Sequence, residues 1–338
     1  MKKALVALTV SALMPLAACG SSGSDDGKVQ VLAAFYPWQF VAERVGGDQV
    51  DVENLTPPGG EPHDLELKPQ QVGAVQDADL VIFETGLQAS VDEAVKQADR
   101  TDGTVDVAKV VELRTVEEDE HSAEEAEEGH SEEEGHEHGE DEHGDEGHEH
   151  DHGHDHGHDH GHDHGGVDPH VWLDPVRMQQ VTAAVRDALV KADPDHATTY
   201  RANAKKLDAE LGSLDEAFRT GLKECKLRTI VTAHDAFGYL ADRYDLEQVS
   251  IAGIDPGNEP SAAQIASLSK LVKDKGITTV FTEELVSPAV ARTVADEAGV
   301  RTATLDPIEG LSDETSDETY LTLMRANLKA IQKADDCS

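Results

Sequence analysis

The stretch HATTYRANAKKLDAELGSLDEAFRTGLKE, residues 196–224, contains no proline and a single internal glycine, Gly212, before Gly221 near its end. Leu207, Leu211, Leu214 and Phe218 recur at steps of four, three and four, so they share one face of a helix. A helix of about 28 residues spans about 40 Å, enough to bridge two lobes. Upstream, Asp174-Pro175 and Asp193-Pro194 each mark a helix start, an N-cap followed by proline at the first helical position.

What the helix bridges is legible on either side. Before it, residues 29–34, 50–55, 80–83 and 105–107 read as strands, and residues 37–45, 69–76 and 91–98 as helices. After it, residues 229–232, 248–251, 278–282 and 302–305 read as strands, alternating with helices over 236–244, 262–275, 289–298 and 320–334. Such alternation argues for parallel sheets. The expected fold class is α/β: two βα lobes, each a parallel sheet flanked by helices, joined by one long rigid linking helix. At 338 residues the chain is long enough for each lobe to bury its own core. The expected boundaries are an N-terminal lobe at 29–173, a helical segment at 174–224 containing the linking helix at 194–224, and a C-terminal lobe at 225–338.

Charge is distributed unevenly. Of a formal net charge of −41, residues 117–163 supply 22 acidic residues and no basic one. The remaining −19 is spread over the rest of the chain, an acidic surface without basic clusters that disfavours nucleic acid and anionic lipid as partners. The same tract holds 14 of the 18 histidines, from His121 to His164, and ends in a near-repeat of His-Asp-His-Gly. Lacking almost all aliphatic residues, the loop at 117–166 is expected to be disordered without metal and to gather transition-metal ions weakly.

The N-terminus reads as a targeting segment. Lys2 and Lys3 precede a short apolar run, and Leu16-Ala17-Ala18-Cys19 has the pattern of a bacterial lipobox. Residues 1–18 are therefore expected to be a signal peptide, Cys19 the lipid-modified mature terminus and residues 19–28 a flexible tether. The apolar run is too short for a membrane span. The expected location is the outer face of a bacterial cytoplasmic membrane, held by the lipid anchor. Cys225 and Cys337, an even pair in an exported chain, are a disulfide candidate.

Outside the tract only His63, His170, His196 and His234 remain. His196 sits at a helix start among Asp195, Thr198 and Thr199 and reads as a solvated surface residue. The other three lie in loops near strand ends, where open α/β sheets place ligands. Pro62 and Pro169 stiffen the loops before His63 and His170, which lowers the ordering cost of presenting a ligand. Three imidazoles leave one tetrahedral position. Asp306, at the end of the last strand, is the first candidate for it; Glu309 is the alternative if the loop curls back, and Glu61 a more distant one. Asp306 also has the plainer reading of a turn cap at Pro307. Three nitrogens and a carboxylate suit Zn²⁺, whereas manganese prefers more oxygen donors.

These residues carry a resemblance. The lipobox, the Pro62-His63-Asp64 loop, the run Asp168-Pro169-His170-Val171-Trp172-Leu173-Asp174-Pro175 after the tract, and His234-Asp235-Ala236-Phe237-Gly238-Tyr239-Leu240 are together similar to the zinc-binding solute receptors of ATP-driven (ABC-type) metal importers, a zinc/manganese receptor family. The likeness runs along residues 29–338. It implies metal held in the cleft between two lobes, with His63, His170 and His234 as ligands, and a carboxylate matching His234 in manganese-binding relatives. It also implies a monomeric, membrane-tethered receptor that captures Zn²⁺ and delivers it to an ABC permease. A manganese receptor and a metal-buffering or adhesin lipoprotein of the same fold stand as alternatives. A zinc hydrolase would use Asp64, Asp235 or Glu283 as general base, but outside the low-complexity tract there is no His-Glu-x-x-His run, and there is no glycine-rich phosphate loop.

Overall fold

The computed structural model describes residues 27–115 and 166–338. The expected signal peptide, Cys19 and all but the last residue of the loop at 117–166 lie outside the described residues. The first lobe has β1 (Val29–Ala33), α1 (Tyr36–Gly46), β2 (Val50–Asn54), α2 (Pro69–Asp77), β3 (Leu80–Phe83), α3 (Ala89–Gln97) and β4 (Thr104–Asp106). Its strands pair in parallel in the order β2-β1-β3-β4. Central β3, Leu-Val-Ile-Phe, buries all four side chains, as a strand covered on both faces must. Edge strand β2 instead exposes Asp51 and Glu53.

Two strands escape the sequence reading. β5 (Arg114–Thr115) and β6 (Val167–Asp168) pair antiparallel, so the residues flanking the tract are drawn together. Two-residue strands carry no periodicity to detect. Then follow α4 (Pro175–Ala192), whose N-cap Asp174 accepts from the Val176 N–H at 2.9 Å, and α5 (Ala197–Gly221).

At 25 residues, about 37 Å long, α5 is a little shorter than the spacing suggests, because residues 194–196 form a 3-10 turn before it. Its buried stripe is Tyr200, Ala204, Leu207, Leu211, Leu214 and Phe218. The helix is seated on both lobes. Asn203 Nδ2 donates to Val45 O of α1 at 3.1 Å. Phe218 stacks on Tyr244, with ring centroids 5.0 Å apart and planes at 18°.

The second lobe has β7 (Thr229–Thr232), α6 (Gly238–Tyr244), β8 (Glu247–Ser250), α7 (Ala262–Asp274), β9 (Thr279–Thr282), α8 (Ala289–Ala298), β10 (Arg301–Thr304) and α9 (Tyr320–Ala334). Its parallel strands run in the order β10-β9-β7-β8. The α/β class of two sheets and a linking helix is as expected. The core is not divided as expected. One apolar cluster runs from β1 and α1 through Trp172 and α5 to Phe237, Tyr239, Phe281, Ile308 and α9. A smaller one, including Val231, Val272, Val280 and Val294, fills only the α7–α8 side of the second sheet. The lobes share their main core because bulky aromatics bridge the seam. Separating them would expose apolar surface at about 25 cal/mol per Å², so free swinging is disfavoured.

Cys225, just past α5, is bonded to Cys337, just past α9, a sequence separation of 112 residues. Replacing both by serine is expected to cost about 2–5 kcal/mol of stability, read as a lower urea midpoint than that of the oxidised protein. An unchanged midpoint would mean that the packing of α9 on α5 alone holds the chain's end.

Candidate metal centre

The loops after the C-terminal ends of β2, β7 and β10 meet at the seam, together with the residues after β6. His234 and Glu283 follow β7 and β9, the adjacent strands between which the sheet order reverses. Open α/β sheets bind ligands at such a switch point. His63 arrives on the loop after β2, His170 directly after β6, and Glu309 on the loop after β10. None of His63, His170, His234 and Glu309 exposes more than 2% of its surface.

Their donor atoms all lie within 4.8 Å of one another. Glu309 Oε1 is 3.5 Å from His63 Nε2, 3.5 Å from His170 Nε2 and 3.3 Å from His234 Nε2. His170 and His234 bring their Nε2 atoms to 3.3 Å. With zinc bonds near 2.05 Å, the edge of a tetrahedron of ligands is about 3.3 Å. Four of the six edges of this quartet are thus already at about the length a zinc ion requires.

The remaining ring nitrogens explain the orientation. His170 Nδ1 bonds Asp168 Oδ1 at 2.9 Å, and the His170 N–H donates to the same oxygen at 2.9 Å. Asp168 Oδ2 in turn accepts from Arg114 at 2.8 Å, and Arg114 Nε donates to Asp242 at 2.6 Å. His234 Nδ1 bonds Glu283 Oε2 at 2.7 Å, while its N–H donates to Glu283 Oε1 at 3.1 Å. A carboxylate accepting from Nδ1–H leaves the Nε2 lone pair aimed at the centre and strengthens it as a ligand. Gly238 is required here: a Cβ at that position would collide with the Arg114 guanidinium and Asp168 Oδ2. Arg114, 54 residues from Asp168, carried no signal in the sequence.

Glu309, and not Asp306, is the carboxylate in the quartet. Asp306 Oδ1 accepts from the Ile308 N–H at 2.8 Å, so it builds the turn that carries Glu309 back into the seam. Ile308 is held at φ +59°, a left-handed conformation that costs a β-branched residue on the order of 1–3 kcal/mol. Asn327 of α9 brackets the turn: its Oδ1 accepts from Asp306 N–H at 2.9 Å, and its Nδ2 donates to Asp306 O at 2.6 Å. Trp172 Nε1 donates to Pro307 O at 2.6 Å, joining the His170 loop to the Glu309 loop. Glu61 is engaged differently, accepting from the His63 N–H at 2.8 Å. His196 pairs with Asp193 at 2.6 Å, away from the quartet.

Burial would raise the Glu309 carboxyl, but His170, His234 and His63 outweigh it and hold the group well below its usual range, hence charged. Burial pushes His63 down. It also works against charge on His170 and His234, yet Asp168 beside the first and Glu283 beside the second carry both above an ordinary imidazole. Burial and the neighbouring Glu309 push Glu61 up to about 8, and burial lifts Asp306 to about 7.

Two βα lobes seated on one helix and closing on three imidazoles and a carboxylate define the class of two-lobed metal-site receptors. A family model described as zinc-uptake complex component A, periplasmic (ZnuA), matches residues 31–334, and the chain belongs to that family. It is 35% identical to the zinc-binding lipoprotein AdcA of Streptococcus pneumoniae (strain ATCC BAA-255 / R6), over 99% of this chain and 62% of that protein. The chain therefore spans less than two thirds of that relative's length. It is 36% identical to the high-affinity zinc uptake system protein ZnuA of Bacillus subtilis (strain 168), over 94% of this chain and 92% of that one. The crystal structure of the Zn(II)-bound ZnuA-like domain of Streptococcus pneumoniae AdcA superposes with a TM-score of 0.69 at 32% identity, covering 92% of this chain and all of that one.

Proposed function

We propose that this chain is an extracytoplasmic receptor that captures Zn²⁺ as cargo with His63, His170, His234 and Glu309 and hands it to an ATP-driven permease in the membrane. The observation that carries the reading is the quartet's near-tetrahedral spacing inside a fully buried seam. The relatives' names, a zinc-binding lipoprotein and a zinc uptake protein, support the cargo and the location. Lipidation at Cys19 and a monomeric state belong to the same proposal. Three nitrogens and one oxygen favour zinc over manganese, which takes more oxygen donors.

Against the hydrolase reading, a closed set of four ligands leaves no position for an activated water. Glu283, one of its candidate bases, is engaged by His234. Membership in a family of zinc-uptake components points the same way.

Titration against a competing chelator tests the proposal. The parental chain and a variant lacking residues 121–164 are both expected to hold one zinc tightly; loss of the tight site on deleting the tract would contradict the reading. Within that site, Asp168→Asn and Gly238→Ala, which both disturb the support of His170, are expected to weaken zinc binding about 10- to 100-fold. Parental affinity in both variants would mean the Arg114–Asp168 pair is structural only.

A pH dependence follows. Zinc requires neutral imidazoles. Because Asp168 and Glu283 raise His170 and His234 in the metal-free protein, these rings keep their protons to higher pH than an ordinary histidine. Zinc uptake near neutral pH is therefore expected to release protons, and affinity to begin falling while pH is still above about 6.5, where these two rings take up protons, and to fall further below it. Calorimetry in two buffers of different ionisation enthalpy reads the protons; a buffer-independent heat would contradict this.

A further inference from the structure

A buried ion needs a way out, and the loop that carries Glu309 is built in a way that offers one. Ile308 is fully buried, β-branched and left-handed at φ +59°. Nothing in its own chemistry favours that conformation, so its surroundings impose it. The Ile308 N–H is held by Asp306 Oδ1 at 2.8 Å, and Asn327 fixes Asp306 by its own N–H and C=O. On the far side, the Gly59 N–H donates to Leu311 O at 2.8 Å, tying the loop to the other lobe. Asp306 also forms part of the wall of a cavity of about 510 Å³ that Glu284, Glu314, Arg325 and Lys329 line with it. Its second oxygen, Oδ2, is buried without a hydrogen-bond partner.

We propose that the turn from Asp306 to Glu309 is a strained latch on the fourth zinc ligand: the Asp306–Ile308 hydrogen bond holds Ile308 left-handed, and that conformation keeps Glu309 on the ion. The inference rests on the zinc reading of the quartet. When the bond breaks, Ile308 relaxes to negative φ, the chain beyond it rotates, and Glu309 leaves. Zinc is then held by three imidazoles and departs faster. The cavity gives the Asp306 carboxylate room to withdraw. Asp306 is in this account a positioning residue that acts on the ion through Ile308 and Glu309.

Stopped-flow dissociation of zinc into excess chelator tests the latch. Asp306→Ala is expected to speed dissociation about 10- to 100-fold, the range for loss of a ligand's support. Asp306→Asn, whose amide oxygen still accepts from the Ile308 N–H, is expected to stay near the parental rate. Glycine adopts positive φ without a steric penalty. In an Ile308→Gly background, adding Asp306→Ala is therefore expected to change the rate little. If Asp306→Ala does not fold, Asn327→Ala carries the same expectation, with the same rescue by Ile308→Gly. Equal acceleration by alanine and asparagine at Asp306, an unchanged rate in Asp306→Ala, or full additivity with Ile308→Gly would each overturn the latch. A parental chain that takes up no zinc, or a His234→Ala chain that releases it at the parental rate, would instead overturn the zinc site itself.

Discussion

His234→Ala is expected to abolish tight zinc binding, with at least about a 100-fold loss of affinity. Structural zinc sites bind with about 10–16 kcal/mol, so one of four ligands carries on the order of 3 kcal/mol or more. His234 has a second role, in the stability of the fold. Its Nδ1–H satisfies Glu283 at 2.7 Å, and both residues are buried. Removing the ring leaves the buried Glu283 carboxylate with only the residue-234 N–H as partner, which lowers the stability of the variant. Chelator competition with the purified variant measures the effect. His196→Ala is the control, since that ring lies on the surface beside Asp193 and is expected to leave zinc binding unchanged. Equal losses in the two variants would mean that the effect is not one of ligation.

Zinc is also expected to stabilise the fold strongly. An ion bound only by the native state stabilises it by about 4 kcal/mol at a thousandfold excess over Kd. The ligands come from the loops after β2 and β6 on one side of the seam and after β7 and β10 on the other, so the ion staples elements that are far apart in sequence. A thermal or urea melt with and without zinc should show a clear upward shift that a chelator reverses. In Glu309→Ala the shift should shrink, since the ion then holds only three of the four elements. A midpoint indifferent to zinc would place the ion away from the seam.

Much of the fold was readable in the residues, and the reasons are local. Residues 80–83, Leu-Val-Ile-Phe, and the helices Ala289–Ala298 and Tyr320–Ala334 have the expected bounds because apolar spacing and clear flanking breaks coincide there. The start of α6 was misplaced: the sequence suggested Ala236, whereas the helix begins at Gly238. The residues between β7 and α6 are used to present His234. Among the carboxylates, Asp306 looked the better placed because it ends a strand. Its turn with Ile308 instead carries Glu309 to the histidines, and a left-handed isoleucine gives no signal in a sequence. Asp168 was visible as part of a motif and Glu283 as a possible base, but their support of His170 and His234 depends on contacts across the fold. The shared core was hidden for the same reason, since hydrophobic periodicity shows that a face is buried without showing against what.

The central claim is that zinc sits in the seam on three imidazoles and one carboxylate. X-ray absorption at the zinc edge, on the chain lacking residues 121–164 loaded with one equivalent of zinc, tests it most directly. The account predicts four nitrogen and oxygen ligands at about 2.0–2.1 Å, with the scattering of three imidazoles. A five- or six-coordinate, oxygen-dominated shell, or fewer than three imidazoles, would contradict it.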